Sequence, residues 1–273
     1  MAGGKDDASD IHLLSILYQD HDCGEENEED EAEPSDNRGP EQTADPPAER
    51  RHLLASIGAE IVIRQLPSQG LSFQLWPAAF SFVSLLDRDP SALLLPSDSA
   101  AIPLRILELG SGTGLVGIAA AAILGAHVTL TDLPHVLPNL EFNALANSGI
   151  VSARGGSITV RQLRWGASED VSKLGFPTKF DAVLASDVVY YDHLFNPLLE
   201  TLRVMVTGEV AFLMAHLRRW KKRDAVFFRL SRKLFEVEVV HTDPPQPGCR
   251  TGVTIYRFMA RKKPPSCRSL QPS

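Results

Sequence analysis

Cysteine is scarce in this 273-residue sequence: Cys23, Cys249 and Cys267 are the only three, widely separated and without a CxxC pair. That pattern supports neither a disulfide framework nor a zinc cluster. His12, His52, His135, His193 and His241 also lack ligand spacing, so no metal is expected. The first ten residues, MAGGKDDASD, are polar and acidic where a secretory signal begins its apolar run. The longest apolar tract, Gly117–Ala126, is about half of the ~20 residues needed to cross a bilayer. No Asn-X-Ser/Thr sequon is present. These absences point to a soluble protein of a reducing compartment, cytoplasmic or also nuclear, with no membrane partner.

Positive charge is missing from one end only. Residues 1–50 hold 16 acidic and 3 basic side chains, a charge of 3 − 16 = -13, out of totals of 34 and 27. Residues 51–273 therefore carry 24 − 18 = +6. Within the leader, Asp10–Gln19 has apolar residues on one side and reads as a short helix. Asp20–Arg50 has almost nothing to bury, so disorder is expected there. The expected division is an acidic leader over 1–50, one domain over 51–262 and a flexible tail over 263–273.

Order is expected from near Leu53. Glu60–Gln74 reads as an antiparallel hairpin around the turn signal Pro67-Ser-Gln-Gly70. Trp76-Pro-Ala-Ala opens a helix reaching Leu86, since Pro suits a first helical turn, and a loop follows over Asp87–Pro103. From Leu104 strands and helices alternate. Strands are expected at 104–109, 127–131, 157–163, 180–186 and 209–216, with helices at 114–124, 136–147, 193–205 and 219–231. Two terminal strands, 236–241 and 253–259, follow. The fold class is α/β: a Rossmann-like, seven-stranded, mostly parallel sheet with helices on both faces, an antiparallel C-terminal edge hairpin and an N-terminal β-hairpin.

The most informative stretch runs from Arg105 to Gly117, RILELGSGTGLVG. A buried strand runs into glycines and then directly into a helix. Gly110, Gly112 and Gly114 let the backbone turn sharply and approach a ligand, and the helix start offers free N–H groups. A dinucleotide fingerprint spaces its glycines GxGxxG, but the third position here is Leu115. Glu108 places an acid where a pyrophosphate resists one and where a cationic ligand such as S-adenosylmethionine is welcome. Its alternative role is to cap the glycine turn. Asp132, ending the second of the alternating strands, suits ribose hydroxyls or, alternatively, an N-cap. Leu163-Arg-Trp-Gly166 and Ala185-Ser-Asp-Val-Val-Tyr190 leave the carboxyl ends of strands, where open α/β sheets bind ligands. Trp76 and Trp165 can cover an adenine or pack in the core.

Taken together, Trp76-Pro-Ala-Ala, Glu108-Leu-Gly-Ser-Gly-Thr-Gly-Leu-Val-Gly117, Asp132, Trp165-Gly166 and Ser186-Asp-Val-Val-Tyr190 resemble the seven-strand methyltransferases of the methyltransferase-like 21 type. That group is known chiefly for protein-lysine methylation, and the resemblance spans about Leu53 to Arg261. It implies that S-adenosylmethionine lies against Trp76, Gly110, Ser111, Gly112, Asp132, Trp165 and Ser186, with Asp187 and Tyr190 on the substrate side. Arg164 stands where the family is often acidic, and Ser186 where a small Ala is usual.

Under that resemblance Asp187 holds and orients the incoming ammonium, and Tyr190 offers its ring face, an attraction of roughly 0.5–2 kcal/mol. The competing roles are helix capping for Asp187 and packing for Tyr190. The basic stretch Leu217–Lys233 contains eight basic residues and one acid, Asp224. It reads as a solvated helix or as a surface for an acidic protein; no aromatic-rich strand accompanies it, which disfavours nucleic acid. A monomer is expected. Three other readings stay open: a small-molecule N-methyltransferase on the same fold, a NAD-dependent oxidoreductase (opposed by Leu115 and Glu108), and a low-turnover S-adenosylmethionine-binding interaction protein.

Overall fold

The computed structural model describes residues 47–93, 103–174, 180–245 and 250–261. The leader helix Asp10–Gln19, the tail 263–273, His12 and all three cysteines lie outside the described residues. Pairing begins earlier than the sequence suggests. Strand β1 (Ala48–Leu54) pairs antiparallel with β2 (Ala59–Gln65), from Ala48 opposite Gln65 to Leu54 opposite Ala59. An N-terminal hairpin is therefore present, but its turn is Ala55–Gly58 and not Pro67–Gly70. Asp87 accepts from the Ala55 and Ser56 amides at 2.8 and 3.1 Å and so ties this turn to the first long helix. Pro67–Gln69 and Leu71–Phe73 are single 3-10 turns instead.

Helix α1 (Pro77–Arg88) starts at Pro as expected, and a four-residue helix α2 (Pro90–Leu93) replaces the start of the expected loop. The alternating units follow in order. These are β3 (Arg105–Leu109), α3 (Leu115–Leu124), β4 (His127–Asp132), α4 (Leu137–Ala146), α5 (Ser148–Ala153), β5 (Ser157–Gln162), α6 (Ser168–Lys173), β6 (Ala182–Ser186), α7 (Phe195–Met205), β7 (Ala211–Leu217) and α8 (Lys221–Leu234). The chain then forms β8 (Phe235–Thr242) and β9 (Val253–Ala260).

The seven strands lie in the order β5-β4-β3-β6-β7-β9-β8. The first five are parallel and β9 pairs antiparallel with both β7 and β8, as the sequence pattern requires. Strand order reverses between β3 and β6, so a crevice opens beyond their carboxyl ends.

Side-chain alternation along the strands builds two cores. Ile106, Val128, Leu184, Leu213 and Ala215 pack on the α1, α3 and hairpin side, whereas Leu107, Leu109, Val183, Phe212 and Met214 pack against α6, α7 and α8. Helix α3 is buried along Leu115–Ala122 because Gly117 and a run of alanines let it lie between the sheet and α1. Gly117 has no alternative: a Cβ there would stand 2.2 Å from Leu130 Cδ2 and 2.6 Å from Glu108 Oε2.

Candidate functional site

The turn after β3 is fixed mainly by backbone contacts. Gly110, Gly112 and Gly114 take φ of 61°, 54° and 87°, conformations that disfavour side-chain-bearing residues. Ser111 N donates to Thr131 O at 2.9 Å, and Thr131 N donates to Ser111 Oγ at 3.1 Å. These bonds hold the turn against the end of β4. There Asp132 accepts from Gly112 N and Leu133 N, both at 2.7 Å. Asp132 is 6% exposed, and burial raises its pKa above the ordinary carboxylate value.

The carboxyl ends of the strands and the segment Leu71–Ala79 enclose a cavity of about 360 Å³. Trp76, Gly110, Ser111, Gly112, Asp132, Trp165, Ser186, Asp187 and Tyr190 all line it. Each wall is held from behind. Trp76 Nε1 donates to Leu71 O at 2.9 Å, and Trp165 rests so closely on Gly110 that a Cβ there would meet its ring at 3.0 Å and Val188 at 3.1 Å. Gly166 N donates to Thr201 Oγ1 of α7 at 2.8 Å, which fixes the chain after Trp165. The carbonyl of Ser72 would lie 3.1 Å from a Cβ at Gly112, so the segment after the hairpin closes directly over the glycine turn.

Glu108 is placed differently from the other expected residues. It is 1% exposed, lies beneath the turn and is not part of the cavity wall. Its Oε2 accepts from Gly117 N at 3.1 Å, so the capping role is the one the fold uses. Burial pushes its pKa up to about 8, opposed by a hydrogen bond from Ser111. Burial thus favours its neutral form.

Asp187 is neither a helix cap nor free. It takes φ of 53°, the only positive φ at a non-glycine among the described residues. Its N donates to Ala215 O at 2.9 Å, its Oδ1 accepts from Leu217 N at 3.0 Å and its Oδ2 from Arg219 Nη2 at 3.2 Å. Arg219, beyond the end of β7, also faces the Trp76 ring at 5.4 Å. The Tyr190 ring packs at a tilt against Tyr191 with centroids 4.9 Å apart, and Arg223 Nη1 donates to the Tyr190 carbonyl at 2.9 Å.

Arg164 lines the cavity edge, but its charge is taken up locally. Its Nε lies 2.8 Å from Asp170 Oδ2 and its Nη2 2.6 Å from Glu169 Oε1. That contact holds the Asp170 carboxyl well below the usual carboxylate range.

Sequence reasoning missed Ser72, Thr113, Leu133, Leu194, Pro197, Arg219 and Trp220 as wall residues. Arg219 and Trp220 were within reach, because they follow a parallel strand at the same end of the sheet. Among the described residues, no group of three or more His, Cys, Asp or Glu is arranged to hold a metal. No helix among them is long and apolar enough to cross a membrane.

The model of a family described as lysine methyltransferase matches residues 57–233. The chain is 36% identical over 159 residues to the protein N-lysine methyltransferase METTL21A of Danio rerio, covering 58% of this chain and 67% of that protein. It is 35% identical over 163 residues to the EEF1A lysine methyltransferase 3 of Mus musculus, covering 59% and 64%. The protein-lysine methyltransferase METTL21E of Bos taurus is 29% identical over 193 residues, covering 71% and 61%. The chain thus spans about three fifths to two thirds of the length of these relatives.

Proposed function

This chain belongs to the lysine methyltransferase family, and on that premise we propose that it transfers methyl groups from S-adenosylmethionine to lysine side chains of a protein. The observation that carries the reading is the single cavity wall joining the glycine turn, Asp132, two tryptophans and the Asp187–Tyr190 element. The residues fit the cofactor. The turn is a cradle that a Cβ at Gly110 or Gly112 would fill, and the Asp132 carboxylate faces the cavity with lone pairs left for ribose hydroxyls. Trp76 and Trp165 form flat apolar walls, and Ser111 and Ser186 add polar ones. S-adenosylmethionine supplies, when bound, a methyl group already activated on a sulfonium.

The chain's own groups then have to align and deprotonate the acceptor. With an ordinary pKa of about 10.4, only about one lysine in 2,500 is neutral at pH 7. Asp187 receives the ammonium at the cavity wall and Tyr190 packs its ring along the alkylammonium. Arg219 is the counter-ion of Asp187 before the acceptor arrives, so an entering ammonium shares the carboxylate with a guanidinium. That like charge favours loss of the ammonium proton.

The substrate surface we infer is acidic. Arg218, Lys221 and Lys222 are exposed beside the cavity mouth, formed in part by Arg219 and Trp220. The folded unit acting as the catalytic domain is 48–260, and it is proposed to act as a monomer.

The test is incubation of the protein with tritiated S-adenosylmethionine and cell lysate, followed by mass spectrometry of the labelled band. A discrete band carrying methyl-lysine is expected, lost with Asp187→Ala while cofactor binding persists. Label confined to small molecules would favour the small-molecule reading; binding with no label anywhere would favour an interaction protein.

A further inference from the structure

Behind the Asp187 wall stands a group of buried titratable side chains that do not line the cavity. His216, on β7, is 2% exposed, and Asp224, in the first turn of α8, is completely buried. His216 Nδ1 lies 3.7 Å from Asp187 Oδ1, and His216 Nε2 lies 3.4 Å from Asp224 Oδ1. One imidazole therefore sits between two carboxylates, one on the cavity wall and one in the interior.

Among the described residues, both ring nitrogens of His216 and both carboxylate oxygens of Asp224 lack a hydrogen-bond partner. Burying a carboxylate in this way is costly unless a cation or donor faces it, and among the described residues only His216 lies within ion-pair distance of Asp224. The other charged or titratable neighbours are Arg219, on the far oxygen of Asp187, and Tyr256 of β9, which feels the Asp224 charge. The Phe228 ring of α8, centred 6.1 Å from the imidazole, packs beside it.

The strand that carries His216 also shapes Asp187. Ala215 O and Leu217 N, on either side of His216, bond Asp187 N and Oδ1, and they hold this residue in its left-handed conformation. Such strain persists where surrounding contacts over-determine it, and it marks functional sites.

Resting on the methyl-transfer reading, we propose that Asp187, His216 and Asp224 form a proton relay that takes up the proton lost by the acceptor ammonium. The acceptor N–H bond breaks with its electron pair left on nitrogen. The proton passes through the Asp187 carboxylate and forms a new N–H bond at His216 Nδ1. The net negative charge of the three groups falls by one unit, and no electron is gained or lost. Once the methylated product departs, the proton returns through Asp187 to water entering the cavity. Asp224 makes this direction available by facing Nε2 from 3.4 Å, which favours hydrogen on that nitrogen and turns the Nδ1 lone pair toward Asp187. His216 and Asp224 are thus positioning residues, since each acts on the acceptor only through its neighbour.

The test uses the full chain labelled with nitrogen-15 and the tritium-transfer assay on a fixed lysate. The ring spectrum of neutral His216 is expected to show the Nε2–H tautomer, and Asp224→Asn to lose that preference. Asp224→Asn is expected to bind S-adenosylmethionine as the parent does and to transfer label about 100-fold more slowly. A paired His216→Leu, Asp224→Leu variant replaces both buried polar side chains with apolar ones and so preserves the fold even if the single variant does not. It is expected to be equally slow. Parent-rate transfer by either variant overturns the relay, as does lost cofactor affinity in both, which would assign the cluster to cavity support. An Nδ1–H tautomer in the parent overturns it whatever the rates. If the parent itself labels no protein, the transfer reading fails and the relay falls with it; label transferred by the parent and equally by the variants overturns the relay alone.

Discussion

Glu108, read in the sequence as a charge for the ligand or as a cap for the glycine turn, makes a capping contact with Gly117 N in the fold. In the native state burial raises its pKa from the ordinary 4.5 to about 8. Across that interval the folded chain binds a proton that the unfolded chain has lost. Stability from this group is complete below pH 4.5, declines as pH rises and is gone above 8. The slope approaches about 1.4 kcal/mol per pH unit for one proton. Glu108→Gln keeps an acceptor for Gly117 N and cannot ionise, so the variant should flatten the decline and gain on the parent at pH 9. Urea unfolding at pH 6 to 9 measures this, and parallel curves for the two proteins would refute it. Gly110→Ala tests the neighbouring cradle. Its Cβ would press on Trp165 and Val188 in a left-handed backbone, which costs roughly 1–2 kcal/mol for an L-residue and tilts Trp165 into the cavity. Calorimetric titration with S-adenosylmethionine should show affinity lowered at least about tenfold, equivalent to about 1.4 kcal/mol; unchanged affinity would remove Trp165 from the cofactor wall.

Helix α4 binds the hairpin to the sheet domain through a ladder of three asparagines. Asn139, Asn143 and Asn147 are four residues apart, share one face and are at most 2% exposed. Asn147 accepts from Val62 N at 2.9 Å and donates to Val62 O at 2.8 Å; Asn143 does the same with Arg64 at 2.8 and 3.1 Å. Their amides serve the outer edge of β2 as a neighbouring strand would. Asn143 also donates to Thr113 O at 2.9 Å, which links the hairpin to the cavity wall. Asn143→Ala leaves buried backbone groups unsatisfied at about 1–3 kcal/mol each, so a loss of about 2–4 kcal/mol is expected. Hydrogen exchange should then speed up at the Arg64 amide; protection equal to the parent's would show that the ladder is dispensable. This device was invisible in the sequence because a polar row on a helix ordinarily marks the solvent face. The parallel strands and the glycine turn were legible, since apolar strand runs and the strand–glycine–helix order follow from local chemistry. Strand β1 was not, because AERRHLL is almost wholly exposed and carries no alternation. The real hairpin turn was overlooked for the louder Pro67–Gly70 signal. Likewise Arg164 with Asp170, and His216 with Asp187 and Asp224, are meetings of side chains that no local pattern encodes. Six-residue helices such as α5 and α6 are too short to show a period.

Charge organises the whole molecule, and the fold relocates the boundary at which it changes sign. Because β1 begins at Ala48, a cut after residue 50 would remove part of a strand; a cut after Pro46 leaves it whole. Residues 1–46 carry 2 − 15 = -13 and residues 47–273 carry 25 − 19 = +6, so the shorter segment keeps the full imbalance. Exposed cations on this side of the molecule include Arg218, Lys221 and Lys222, next in sequence to the wall residues Arg219 and Trp220, with Arg229, Arg232 and Lys233 farther along α8. Arg164 does not join them, being held by Glu169 and Asp170. An acidic segment tethered to the same chain reaches an effective concentration of order millimolar, enough to compete with a dilute acidic substrate for those cations. The competition is coulombic and must fade with salt, since the screening length shrinks from about 30 Å at 0.01 M to about 3 Å at 1 M. Deleting residues 1–46 is therefore expected to lower the Michaelis constant several-fold for the labelled protein substrate at low salt. At high salt the truncated and full chains should coincide, and the turnover number should not change in either condition. Equal Michaelis constants at low salt would mean that the leader does not reach the catalytic surface and that its charge serves solubility alone.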